Sequence, residues 1–88
     1  MLLLSALPTH AAVPAKPAPV LMVFGDSLSA GYGLRPGQGW VDLLAARLAT
    51  EGYEFRLVNA SVSGETTAGG LARLPRALEV HRPAIVVL

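Results

Sequence analysis

The stretch Val20-Leu21-Met22-Val23-Phe24-Gly25-Asp26-Ser27-Leu28-Ser29-Ala30-Gly31-Tyr32-Gly33 decides the fold. Its first five residues are an unbroken apolar run with no polar alternation, the pattern of a strand buried on both faces. Gly25 then turns the chain sharply, where a Cβ would obstruct it. Asp26 is placed to brace the turn by accepting backbone N–H bonds. Ser27 follows directly. A serine just past a buried strand can present its hydroxyl in a crevice, although Asp and Ser are also ordinary turn residues.

Downstream, the pattern of strand and helix repeats. Gly25 to Gly39 is glycine-punctuated and reads as a turn continuing into a loop. Trp40 to Glu51 reads as a helix, with Trp40, Leu44 and Leu48 at i, i+4 and i+8, widened by Val41 and Leu43. Gly52 sits where a helix-ending glycine belongs. Phe55 to Ala60 reads as a second strand, Ser61 to Gly70 as a second small-residue loop, and Leu71 to His81 as a second helix with Leu71, Leu74 and Leu78 inward. Pro75 removes a backbone donor there and predicts a kink or a restart. Ala84 to Leu88 reads as a third buried-type strand. The order β-α-β-α-β is that of a parallel sheet with right-handed crossovers. Ligands of such sheets bind beyond the C-terminal strand ends, where the loops from Gly25 and from Ser61 lie.

Upstream, Met1 to Leu7 is an apolar block ended by Pro8, with Thr9-His10-Ala11-Ala12 after it. Residues 1–12 read as a secretory signal with small residues suited to cleavage, though without the basic opening such signals carry. The block is too short for a membrane span, which needs about 20 apolar residues. Residues 13–19 hold three prolines and read as an extended linker, leaving residues 20–88 as the folded part. The signal predicts a periplasmic or secreted location.

Composition narrows the function classes. Seven Lys and Arg face six Asp and Glu, scattered along the chain, so there is no basic footprint for nucleic acid. No cysteine is present, which removes disulfide frameworks, zinc knuckles and thiol nucleophiles. With 52% hydrophobic residues in 88, the chain is too apolar to be disordered, yet short for a domain. A nucleotide-binding unit fits poorly. Gly31, Gly33 and Gly37 lack the G-x-G-x-x-G spacing, and the second strand ends in Asn59 rather than an acidic residue.

The second loop, Asn59-Ala60-Ser61-Val62-Ser63-Gly64-Glu65-Thr66-Thr67, carries a glycine able to bring a backbone N–H close to a bound oxygen. The N–H groups of Ser27 and Gly64 aimed at one point would form an oxyanion hole. Thr66 or Thr67 would cap the following helix.

These two loops resemble the first and second sequence blocks of the SGNH, or GDSL, hydrolases. Gly25-Asp26-Ser27-Leu28-Ser29 is similar to the first block, and Asn59 to Thr67 to the second. Gly70-Leu71-Ala72-Arg73-Leu74-Pro75 is similar to the secreted thioesterase I, lysophospholipase L1 and arylesterase branch. The resemblance implies the N-terminal β-α-β-α-β portion of a flavodoxin-like α/β/α fold, with strand order 2-1-3 and helices on both faces. It implies hydrolysis of a small acyl ester or thioester, lysophospholipids among them, through an acyl-serine. No metal or organic cofactor is implied. Ser27 would be the nucleophile and one backbone oxyanion donor, Gly64 a second donor, with Gly25, Asp26 and Asn59 in support. The family's third donor, an Asn in a G-x-N-D block, and its D-x-x-H pair are expected beyond Leu88. A chain without them is expected to turn over p-nitrophenyl esters negligibly, and a non-catalytic truncated or degraded fragment is the competing reading. Few other residues could substitute. His10 lies in the signal and His81 at the helix end remote from Ser27. Glu65 is expected to be an exposed loop carboxylate, Trp40 a core residue, and Tyr32 and Leu34 either pocket lining or packing for the first loop.

Overall fold

A computed structural model describes residues 17–88. The expected signal at residues 1–12, His10 among them, and residues 13–16 of the expected linker lie outside the described residues. In chain order the elements are β1 (Val20–Val23), α1 (Ser27–Ala30), α2 (Trp40–Thr50), β2 (Arg56–Asn59), α3 (Thr67–His81) and β3 (Ile85–Val87). The three strands form one parallel sheet in the order β2-β1-β3. Leu21 pairs with Leu57 on one side and with Ile85 on the other.

This order explains why the helices lie on opposite faces. The connection from β1 to β2 and that from β2 to β3 travel in opposite directions across the sheet. Crossovers of a single hand then place α2 and α3 on different sides. The core confirms it. Leu21 and Val23 of β1 pack against Val41 and Leu48 of α2, with Phe55 and Leu57. Met22 and Phe24 point the other way, onto Ala77 and Leu74 of α3, with Val20, Val58 and Ala60. β1 is thus covered on both faces, as its unbroken apolar run predicts.

Several expectations are corrected. The first loop contains a short helix, α1, because Asp26 caps it: Leu28 N–H donates to Asp26 Oδ1 at 3.1 Å. α3 begins at Thr67 rather than Leu71, since Thr66 Oγ accepts from Gly69 N–H at 3.1 Å. Its inward stripe is Gly70, Leu74 and Ala77, with Leu71 and Leu78 exposed. Small residues face inward here because a Cβ on Gly70 would already stand 3.5 Å from the Phe24 ring, leaving no space for a larger side chain. In α2, Val41 is buried, Leu48 half-buried, and Trp40 and Leu43 exposed. β3 is a strand, but Ile85, Val86 and Val87 are exposed rather than buried, because among the described residues β3 pairs only with β1.

α3 runs unbroken through Pro75. The ring removes the N–H that would meet the Leu71 carbonyl and crowds that carbonyl. Pro75 is exposed and packs no core. Pro75→Ala is therefore expected to raise stability by about 1–3 kcal/mol, read as a higher urea midpoint at unchanged slope. An unchanged or lower midpoint would show that the helix already accommodates the ring without cost.

Candidate active site

The C-terminal ends of the strands hold the two loops together through backbone and small polar side chains. Gly25 N–H donates to Ser61 Oγ at 3.0 Å, and Val62 N–H donates to the Gly25 carbonyl at 3.0 Å. A Cβ on Gly25 would stand a tight 3.0 Å from Ser29 Oγ, so a side chain there would press on α1. Asn59 links both loops. Its Nδ2 donates to the Ser29 carbonyl at 2.7 Å, and its Oδ1 accepts from Ser61 N–H at 3.1 Å. A supporting role for Gly25, Asp26 and Asn59 therefore has a geometric basis: one turns, one caps α1, and one ties α1 to the second loop.

Ser27 is half-buried and opens α1. Among the described residues, its hydroxyl and its N–H make no hydrogen bond, nor does the N–H of Gly64. Gly64 holds φ at +85°, a left-handed conformation that glycine tolerates and side chains strain. Two unengaged N–H groups, one at a helix start and one on a glycine turn, are donors available to an anionic oxygen.

Beside them lies an open groove of about 550 Å³. Leu28 and Ser29 line it from α1, Thr66, Gly70 and Leu71 from the start of α3, and Leu88 from the end of β3. This is the crevice at which strand order reverses, on the side where ligands of such sheets bind. Leu28 and Leu71 give it an apolar lining, and both are largely exposed. Tyr32 and Leu34 are exposed and do not line this groove.

Two residues differ from expectation. Trp40 is not core: it is 40% exposed, and its Nε1 donates to Ser29 Oγ at 3.2 Å. As the first residue of α2 it turns its ring toward α1, leaving the core position to Val41. Because it is the single tryptophan of the chain, its emission reports on α1. Ser29→Ala is expected to shift the Trp40 emission maximum while the urea midpoint changes by under about 0.5 kcal/mol of stability. An unmoved spectrum would show that the contact is not held in solution. Glu65 is not an exposed loop carboxylate. Its side chain is 16% exposed, and Oε1 accepts from Arg73 Nε at 2.5 Å. Arg73 in turn lies over the Phe24 ring, 4.3 Å from its centroid. The sequence shows no direct sign of this pairing, since the two residues lie eight apart across a helix cap.

His81 is the last residue of α3, whose first residue adjoins the groove, and it makes no hydrogen bond to Ser27. Among the described residues no cluster of His, Cys, Asp or Glu could hold a metal ion. No helix there is long and apolar enough to cross a membrane.

The esterase TesA of Pseudomonas aeruginosa is 61% identical over 71 residues, which cover 81% of this chain and 35% of TesA. The crystal structure of TesA superposes with a TM-score of 0.74, covering 76% of this chain and 37% of that one. An arylesterase of Vibrio mimicus is 46% identical over 68 residues, covering 77% of this chain and 34% of its own length. Thioesterase 1/protease 1/lysophospholipase L1 of Escherichia coli K12 is 42% identical over 71 residues, covering 81% and 33%. The chain thus spans about a third of the length of the curated relatives it matches. The model of the GDSL-like lipase/acylhydrolase family matches residues 23–88, from the end of β1 through both loops to Leu88. On that match, and on the parallel sheet and paired loops that underlie it, this chain belongs to the GDSL-like lipase/acylhydrolase family.

Proposed function

We propose that the whole protein is a serine hydrolase of small acyl esters or thioesters, working through an acyl-serine intermediate. The observation that supports this reading is that the loops carrying Ser27 and Gly64 are tied together by hydrogen bonds through Gly25, Asn59 and Ser61, with the N–H groups of Ser27 and Gly64 unengaged among the described residues and with residues flanking both lining one groove. Ser27 Oγ attacks the acyl carbonyl carbon. The carbonyl oxygen becomes negative and is held by the N–H groups of Ser27 and Gly64. The C–O or C–S bond then breaks, the alcohol or thiol leaves with a proton, and water hydrolyses the acyl-serine to the free acid. A serine hydroxyl is a weak nucleophile without a base. The family resemblance implies a histidine oriented by an aspartate, and an asparagine as a third donor. None of the described residues takes those parts.

The apolar groove lining supports an acyl chain as the bound portion. The names of the relatives, which include an arylesterase and a thioesterase/lysophospholipase, support the same substrate class. A division into a signal at residues 1–12, a linker at 13–19 and a catalytic portion from residue 20 accompanies this reading, with a periplasmic or secreted location. Treating the whole protein with a fluorophosphonate is expected to add one phosphonyl group, on the peptide that carries Ser27. Labelling on another residue, or none at all, would overturn the assignment, and the second result would favour a non-catalytic chain.

A further inference from the structure

The Gly64 turn has no side chain of its own to hold it, yet its N–H must point at one place for the chemistry proposed above. Its upstream side is fastened by Glu65 N–H to the Val62 carbonyl at 3.1 Å and by Val62 N–H to the Gly25 carbonyl at 3.0 Å. Its downstream side is fastened by the Glu65 side chain, which turns inward along α3 to Arg73. Gly69 leaves room for it where the carboxylate now sits: a Cβ there would fall 2.6 Å from Glu65 Oε2. Arg73 is seated on Phe24. Phe24 is buried, its N–H donates to the Val87 carbonyl at 2.9 Å, and it lies three residues before Ser27.

We propose that Glu65 and Arg73, with the guanidinium resting on Phe24, form a brace that positions the Gly64 N–H relative to Ser27. The inference rests on the acyl-serine reading. Glu65 and Arg73 are positioning residues, since neither is assigned a contact with the reacting atoms. A purely stabilising role fits the geometry poorly. Arg73 Nη2 is buried with no hydrogen-bond partner among the described residues, a costly arrangement that an apolar side chain over Phe24 would avoid. Gly69 also weakens the first turn of α3 relative to alanine. Both features make sense if they keep a carboxylate fixed beside Gly64.

The test uses the whole protein and the variants Arg73→Met, Glu65→Gln and their combination. Arg73→Met keeps the packing on Phe24 and removes the partner of Glu65. Misplacing one oxyanion donor is expected to lower kcat by about 10–100-fold. KM should stay within about threefold, and fluorophosphonate labelling of Ser27 should slow in parallel. Because the pair acts as one unit, the double variant should lose no more than either single one. Melting temperatures, measured alongside, separate position from folding. If Arg73→Met does not fold, Glu65→Gln carries the test, being nearly isosteric. The brace is overturned if the folded variants keep kcat within twofold, if KM rises instead, or if the two single losses multiply in the double variant. A wild-type protein whose Ser27 does not label would overturn the acyl-serine reading instead, so the two failures are distinguishable.

Discussion

Ser27→Ala in the whole protein is expected to lower kcat on p-nitrophenyl esters by about 10⁴–10⁶. The side chain is small and half-buried and makes no hydrogen bond among the described residues, so its removal should leave the fold intact. The backbone N–H of residue 27 survives the change, as does that of Gly64. On the proposed mechanism the variant therefore keeps both proposed oxyanion donors and loses only the group proposed to form the covalent bond. Residual catalysis should come from binding and the oxyanion hole alone. KM should stay near its wild-type value, because the groove lining of Leu28, Leu71 and Leu88 is untouched. Steady-state kinetics with a matched melting curve checks this. A loss under tenfold in a folded variant would show that the nucleophile lies elsewhere.

Met22→Ala is the change expected to cost most stability, about 2–5 kcal/mol. Met22 is fully buried at the centre of β1, between Val58 of β2 and Val86 of β3 in register. It packs with Phe24 and Ala77 and with half-buried Leu74. Few buried side chains lie on this face, so the cavity has few neighbours to collapse into it. Domains are stable by only about 5–15 kcal/mol, so the change takes a large fraction of the total. Leu71→Ala is the control. The periodicity of α3 marks Leu71 as core, yet it is 72% exposed. Its truncation should move stability by about 0.5 kcal/mol or less. Urea midpoints that reversed this ranking would contradict the packing described for β1.

That pair shows where the amino-acid pattern is informative and where it is not. The continuous apolar run Val20 to Phe24 fits a doubly covered strand, and the burial of Met22 follows from it. The turns at Asp26 and Gly64 are set locally, while Gly25, Asn59 and Ser61 join the two loops across the sequence, and all five lie in the stretches that resemble the family blocks. The start of α3 was not legible, because Gly69-Gly70 carry a loop signal by propensity. Their true role is to leave room for Glu65 and Phe24, a three-dimensional condition. The pairing of Glu65 with Arg73 was hidden for the same reason. An ion pair between a loop and the second turn of a helix depends on how the helix docks, and no periodicity encodes it. Trp40 was misread because amphipathic spacing fixes a stripe only to within one neighbour. A single hydrogen bond to Ser29 decides between Trp40 and Val41.

The strand order has a consequence in time. The central strand of the described sheet is the first to be synthesised, and Leu21 must wait for Ile85, 64 residues later, to complete its pairing. Such distant contacts slow folding, because a long loop must close before they form. Until then the apolar run that begins at Val20 lacks half its backbone partners, which makes it a natural target for a holding chaperone. Phe24 is fastened by Val87, and the groove gains its Leu88 wall only when β3 arrives. Ser27, made early in synthesis, therefore gains its surroundings late, and a partly made chain carries it without the Leu88 wall of the groove.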